Sequence, residues 1–304
     1  MTSERFREFW PENLPVIARG VHGTVYRFGE KQAAKLYNPE ISREQVETEW
    51  TLSWETRLLG VSCAETGEMI RCGDRYGILF EYIDGDTLGH AIAATPQKLP
   101  EYAGQYAAFV KKLHRIRTEK TVFPELKTEL KKKLIRLEKF CTEKDLALLE
   151  ELIGCIREEN SLLHGDLHPG NIMVRDGELV LIDLAEMMRG NHKWDLAAIY
   201  RDLIIGPRFP SEALERSIGM KAEMISQTGE AFFRAYTGLE GEPLQQYEDS
   251  LLPLYGMNTV FNLGGAEDRN EAACGWIIPM LMEQAIRKHE ESLRKMLAEE
   301  NEGD

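Results

Sequence analysis

The stretch Leu162-Leu-His-Gly-Asp-Leu-His-Pro-Gly-Asn-Ile-Met-Val174, followed by Leu179-Val-Leu-Ile-Asp-Leu-Ala185, constrains this chain more than any other. Two apolar runs, 161–164 and 179–182, are too short for helices and are bounded by turn residues, so they read as buried strands. Between them lie a polar loop and the turn Asp176-Gly177. One strand therefore delivers a loop carrying Asp166 and Asn171, and a second strand delivers a further carboxylate, Asp183. Residues of these types on a loop often only cap or turn the backbone, so their meaning depends on the rest of the chain.

The first 83 residues carry alternating β-branched and aromatic groups. Val25, Tyr26, Ala33, Lys35 and Tyr37 form one run, and Tyr76, Ile78, Phe80 and Tyr82 another. That pattern predicts a small sheet. Between the runs, Ser42 and Gln45 make a capping-box start, with Val46, Trp50, Trp54 and Leu58 at helical spacing as far as Gly60. After Asp84-Gly85-Asp86 the periodicity becomes helical, over roughly 100–117, 125–140, 143–159, 193–204, 211–237 and 271–299. The expected class is α+β, with a sheet-based N-terminal lobe over 1–83 and a larger, mainly helical lobe over 84–304.

Charge narrows the partners. Lys and Arg number 37 against 51 Asp and Glu, a formal charge of -14, so a phosphate-rich polymer is repelled and nucleic acid is not an expected partner. The basic stretch from Lys127 to Lys139 is interleaved with Leu126, Leu130, Leu134 and Leu137, which reads as the solvated face of an amphipathic helix. No apolar run is long enough to span a bilayer, and the N-terminal residues carry no apolar signal core. The five cysteines are odd in number and scattered, which suits neither a disulfide framework nor a zinc site. A cytoplasmic location follows as the expectation.

Phosphoryl transfer needs a group that orients the attacking hydroxyl and oxygen ligands that hold Mg²⁺ on the phosphates. Asp166 suits the first task, and Asn171 with Asp183 the second. A free aspartate, with a pKa near ~3.9, is a weak base, so its contribution is mainly alignment, with proton acceptance late in the reaction.

His164-x-Asp166 with Asn171 five positions on is similar to the catalytic loop H-R-D-x-x-x-x-N of protein kinases, and Asp183 falls where their D-F-G aspartate falls. The form His-Gly-Asp-Leu-His-Pro-Gly-Asn more closely resembles the aminoglycoside phosphotransferase and choline kinase family. That resemblance implies a two-lobed, protein-kinase-like fold. It implies Asp166 as the catalytic base, Asn171 and Asp183 as magnesium ligands, and His164 as a loop-ordering residue. Leu184 and Ala185 replace the Phe and Gly of D-F-G. Asp195, in Asn191-His-Lys-Trp-Asp-Leu-Ala197, resembles the family aspartate that begins the next helix and buttresses the loop. His168, followed by Pro169 and Gly170, reads as structural.

Upstream, Ala18-x-Gly20-x-x-Gly23-x-Val25 is close to the kinase glycine-rich loop, where glycine lets backbone amides approach phosphate. Lys35, in Ala33-Ala-Lys-Leu-Tyr37, resembles the lysine that pairs with the nucleotide phosphates. Its implied partner is a helical glutamate: Glu49, or Glu47, which shares a helical face with Trp50, Trp54 and Leu58. The strand Tyr76-Gly-Ile-Leu-Phe-Glu-Tyr-Ile83 looks like the linker between kinase lobes. By that resemblance the Glu81 carbonyl and the Ile83 amide bond adenine, with Phe80 behind. The cofactors implied are ATP and Mg²⁺.

Only twelve positions separate Asp183 from Asp195 and no A-P-E follows, so the segment on which protein kinases lay a peptide is missing. Leu113-His114, ending the helix before the insertion at 125–159, also resembles the small-molecule branch. The expected reaction moves the γ-phosphate of ATP to a hydroxyl of a small molecule such as an amino sugar, an amino alcohol or a sugar. Glu186, Glu267, Asp268 and Glu271 supply Coulomb attraction for a cationic acceptor. Two other readings stay open at this level: a catalytically silent nucleotide-binding module and an atypical protein kinase. No motif specifies an oligomeric state.

Overall fold

The computed structural model describes residues 6–209, 211–265 and 271–299. In chain order the strands and α-helices are β1 Phe6–Glu8, β2 Val16–Arg19, β3 Gly23–Phe28, β4 Gln32–Tyr37, α1 Arg43–Leu58, β5 Thr66–Cys72, β6 Arg75–Glu81, α2 Leu88–Ala94, α3 Leu99–Arg115, α4 Leu126–Leu137, α5 Glu143–Cys155 and β7 Ser161–Leu163. They continue with β8 Ile172–Arg175, β9 Glu178–Leu181, β10 Met188–Gly190, α6 Lys193–Tyr200, α7 Glu212–Ile218, α8 Ala222–Thr237, α9 Gly241–Ser250, α10 Leu252–Gly265, α11 Glu271–Leu281 and α12 Glu290–Ala298. By their contacts the residues fall into two units, Met1–Ala91 with Asn171–Glu186, and Ile92–Gly170 with Met187–Asp304.

The first unit is built on a six-stranded sheet in the order β1-β5-β6-β4-β3-β2. All its pairings are antiparallel except that of β1 with β5, which is parallel, an edge the alternation pattern did not announce. Successive side chains of a strand point to opposite faces, and the cores follow that rule. Ala34, Leu36 and Leu79 pack with Phe9 and Ile70 on one face, while Tyr37 and Ile78 meet Val46 of α1 on the other. Lys35 is thereby committed to the α1 side. The β8–β9 hairpin turns through Asp176 and Gly177, both at positive φ (52° and 82°), as the Asp-Gly dipeptide predicts.

α1 starts as expected, with both bonds of the Ser42–Gln45 capping box formed. Its orientation departs from the expected one. The buried positions are Val46, Glu49, Leu52, Ser53 and Thr56, whereas Trp54 and Leu58 are exposed. Trp50 and Trp54 instead stack on each other, 5.8 Å apart and 10° from parallel, and the Trp50 indole N–H donates to the Gly67 carbonyl at 2.7 Å. Trp50 borders the core beside Val46, while Trp54 is satisfied by stacking on it in the open, so the bulky stripe marks the inner face only in part.

The second unit is helical around a core drawn from α4, α5, α10, α11 and α12, including Leu130, Leu137, Leu149, Ile153, Val260, Phe261, Ile278 and Leu293. α4 buries Leu126, Leu130 and Leu137 and presents its basic residues outward. Tyr106 of α3 packs on Phe232 of α8 with ring centroids 4.6 Å apart. Several expected helices are subdivided. The run 211–237 breaks at Gly219, whose φ of 83° ends α7 in a left-handed cap. Beyond Tyr200 the helix widens into a π turn, Arg201–Ile205, and a second π turn, Met282–Ile286, follows α11, which contains Pro279. α9 is mostly polar, and α10 is largely apolar. All five cysteines are free, and no described helix is long and apolar enough to cross a membrane.

Candidate active site

In the first unit the centre is Lys35. Its Nζ lies 2.8 Å from Glu49 Oε1 and 2.8 Å from Asp183 Oδ1, with the ring of Tyr37 beneath it, 4.9 Å away. Burial works against the ammonium, but the two carboxylates outweigh it and raise the Lys35 pKa, so the side chain is a fixed cation. Glu49 is 3% exposed, while Glu47 turns outward and pairs with Arg43 at 2.8 Å. Three stretches of chain, on β4, α1 and the end of the β8–β9 hairpin, thus meet at one charge.

Asn171 and Asp183 flank that hairpin. Ile172 pairs with Leu181, and the next bond outward is Ile182 N–H to the Asn171 carbonyl, 3.0 Å, which sets the two residues at the same end. β9 is anchored by Ala64 N–H to Leu181 O (3.0 Å) and Leu181 N–H to Ser62 O (2.9 Å). Asp183 has φ of 59°, a region that aspartate tolerates better than most residues. An amide and a carboxylate are the hard oxygen donors that magnesium takes, one or two at a time, alongside phosphate oxygens. The donor set fits that ion.

Gly20 and Gly23 form the turn between β2 and β3, closed by Gly20 N–H to Gly23 O at 2.9 Å. A Cβ on Gly20 would meet nothing closer than 3.8 Å, whereas one on Gly23 would lie 2.5 Å from the Leu36 carbonyl of β4. Glu81, at the end of β6, pairs with Arg175 of β8 at 2.7 Å, and Ile83 packs beside Ala64 and Val180. Glu186 is exposed at the end of this unit.

In the second unit β7 hands over to the loop that bears Asp166. The loop backbone is held by Asp195, which accepts from His164 N–H (2.8 Å) and Gly165 N–H (2.9 Å). Asp195 also faces His114 Nε2 at 3.1 Å. Burial lowers the His114 pKa, so the ring is neutral and donates to the carboxylate. Burial alone would raise Asp195, but that bond and the loop amides outweigh it and keep the carboxyl ionised. Gly165, at φ of 85°, supplies the turn. His164 is fully buried and accepts the Asp166 N–H on Nδ1 at 3.3 Å.

The Asp166 carboxylate itself is half exposed. Arg201 Nη2 stands 3.4 Å from Oδ1, and His168 Nε2 stands 3.6 Å from Oδ2. Burial raises its pKa, but His168, Arg201 and His164 outweigh it and hold the acid well below the usual carboxylate range. Arg201 is anchored in turn by Asp202, through contacts of 2.8 and 2.9 Å, and by Asn258 Oδ1 at 3.1 Å. Sequence reasoning missed Arg201. It opens the π turn, where the helical phase changes, so a 3.6-residue period gives no means of placing it. Glu271 begins α11 and pairs with Lys139 at 3.4 Å, while Glu267 and Asp268 lie outside the described residues.

A family model described as phosphotransferase enzyme family matches residues 13–224. No curated protein matches the chain. Among solved structures, an ADP-bound aminoglycoside phosphotransferase, APH(2'')-Ib, is 17% identical with a TM-score of 0.58, over 89% of this chain and 92% of that one. An amicoumacin kinase in complex with AMP-PNP and Ca²⁺ is 17% identical, TM-score 0.55, over 96% and 91%. A choline/ethanolamine kinase family protein from Mesorhizobium loti is 15% identical, TM-score 0.54, over 94% and 93%. At these identities the likeness establishes a shared protein-kinase-like fold.

Proposed function

Since the chain belongs to the phosphotransferase enzyme family, we propose that it transfers the γ-phosphoryl group of ATP to a hydroxyl of a small molecule. The observation that carries the reading is the meeting of Lys35, Glu49 and Asp183, with both acids 2.8 Å from the ammonium. A cation held by one buried and one half-exposed carboxylate is suited to exchange the exposed partner for nucleotide phosphates.

In this reading Gly20 and Gly23 cover the phosphates, Lys35 neutralises them, and the Glu81 carbonyl and Ile83 amide bond the adenine edge. Asn171 and Asp183 would hold magnesium, which when bound draws charge from the phosphate oxygens. Asp166 accepts a hydrogen bond from the acceptor hydroxyl and so fixes its line of attack. As the new O–P bond forms, the bond from the γ-phosphorus to the bridging oxygen breaks, ADP leaves with that electron pair, and the hydroxyl proton passes to Asp166. With its pKa depressed, Asp166 takes that proton late and works chiefly by alignment. The short link between Asp183 and Asp195 supports a small acceptor, and the formal charge of -14 favours a cationic one, such as an amino sugar or amino alcohol.

The test is a coupled ADP-release screen with magnesium and ATP over amino sugars, amino alcohols, sugars and nucleosides. Turnover is expected with at least one class, and Asp166→Ala should reduce it by about 10² to 10⁴ while leaving nucleotide affinity unchanged. Asp183→Ala should weaken magnesium-dependent nucleotide binding. Absence of ADP release with every acceptor, or near-normal turnover in Asp166→Ala, would sink the reading.

A further inference from the structure

We propose that His168 is a positioning residue for Asp166, its ring locked so that the Nε2 proton faces one carboxylate oxygen. The inference rests on the reading above, in which Asp166 aligns the acceptor hydroxyl. Its geometry stands independently.

His168 is 7% exposed, and its Nδ1 accepts the Gly170 backbone N–H at 3.1 Å. A nitrogen that accepts must carry a lone pair, so the ring proton resides on Nε2. Nε2 lies 3.6 Å from Asp166 Oδ2 while Arg201 approaches Oδ1, so each oxygen of the carboxylate faces a different donor. At 3.4 and 3.6 Å these donors act by charge and N–H dipole, and together they favour one orientation of the carboxylate. The Ser217 hydroxyl is a rival acceptor at 3.5 Å from Nε2, but a charged oxygen is the stronger partner.

Gly170 holds the arrangement from behind. A Cβ there would lie 1.9 Å from the Ser217 carbonyl and 2.9 Å from the His168 ring. The backbone therefore sits directly against the imidazole whose tautomer it sets.

Two substitutions separate positioning from mere loop ordering. Asparagine places an acceptor oxygen near the site of Nδ1 but has no donor at Nε2, and glutamine reaches the Nε2 site with an N–H but drops the Nδ1 acceptor. Positioning predicts that His168→Asn lowers kcat about tenfold at unchanged KM for ATP, that His168→Gln keeps most of kcat, and that Ser217→Ala stays near the wild type. His168→Asn with wild-type kcat, or His168→Gln falling as far as His168→Asn, overturns the proposal.

A second measurement needs no turnover. Ring ¹⁵N shifts of the full chain should show a bare Nδ1 and a protonated Nε2, with the Nε2 resonance moving in Asp166→Asn. A protonated Nδ1, or an Nε2 signal indifferent to Asp166→Asn, also overturns it. Should the wild type release no ADP, the functional reading fails, and the ring measurement still decides whether His168 serves Asp166.

Discussion

Gly20 and Gly23 sit three residues apart in one turn, yet they are glycines for different reasons. At Gly23 the constraint is packing, because a Cβ would lie 2.5 Å from the Leu36 carbonyl across the β3–β4 pair. At Gly20 there is space, so its lack of a side chain is free to serve an approaching ligand. Gly20→Ala should therefore leave the thermal midpoint within about 1 °C of the wild type while raising KM for ATP several-fold, a modest stability effect by the usual scale for surface positions. Gly23→Ala should lower the midpoint itself, and calorimetry beside steady-state kinetics separates the two. Both glycines are plain in the sequence; the reason for each is not, because the obstructing carbonyl belongs to another strand.

Elements meet through polar groups as well as apolar ones. Glu159, between α5 and β7, contacts Ser161 (2.5 Å), Arg117 (3.1 Å) just beyond α3, and His192 (3.1 Å) at the start of α6. Burial would raise its pKa, but His192, Ser161 and Arg117 outweigh it and bring it from 4.5 down to about 2. A depressed carboxylate contributes stability that is present above its unfolded pKa and lost as pH falls through its folded one. The gap in urea midpoint between the wild type and Glu159→Gln should therefore be wide at neutral pH and close between pH 4.5 and about 2. A gap that did not change with pH would mean that Glu159 acts by shape alone. At the same scale α1 is instructive: its capping box was legible because it is local, while its inner face was not, since Trp54 and Leu58 are exposed and Trp54 stacks on a Trp50 that only borders the core.

Across the whole chain, the second unit spends most of its apolar residues on the core shared by α4, α5 and α10–α12. Leu137 belongs to it, fully buried, and a Cβ on Gly264 of α10 would press on its side chain. Leu137→Ala should cost about 2–5 kcal/mol in urea unfolding, by lost burial and the cavity left behind, with kcat per folded molecule unchanged. Gly264→Ala should also destabilise, since the added methyl must displace that leucine. By itself the sequence determined what adjacency controls: the two strands around the Asp166 loop, the Asp176-Gly177 turn, the capped start of α1 and the change from sheet to helix. Only the tertiary structure decided that Lys35 pairs with Glu49 rather than Glu47 and reaches Asp183, 148 positions away, and that Arg201 and His168 face Asp166. A periodic pattern reports which side of an element is apolar. The partner of a charge is chosen by packing between elements far apart in the chain, and such a choice leaves no local trace.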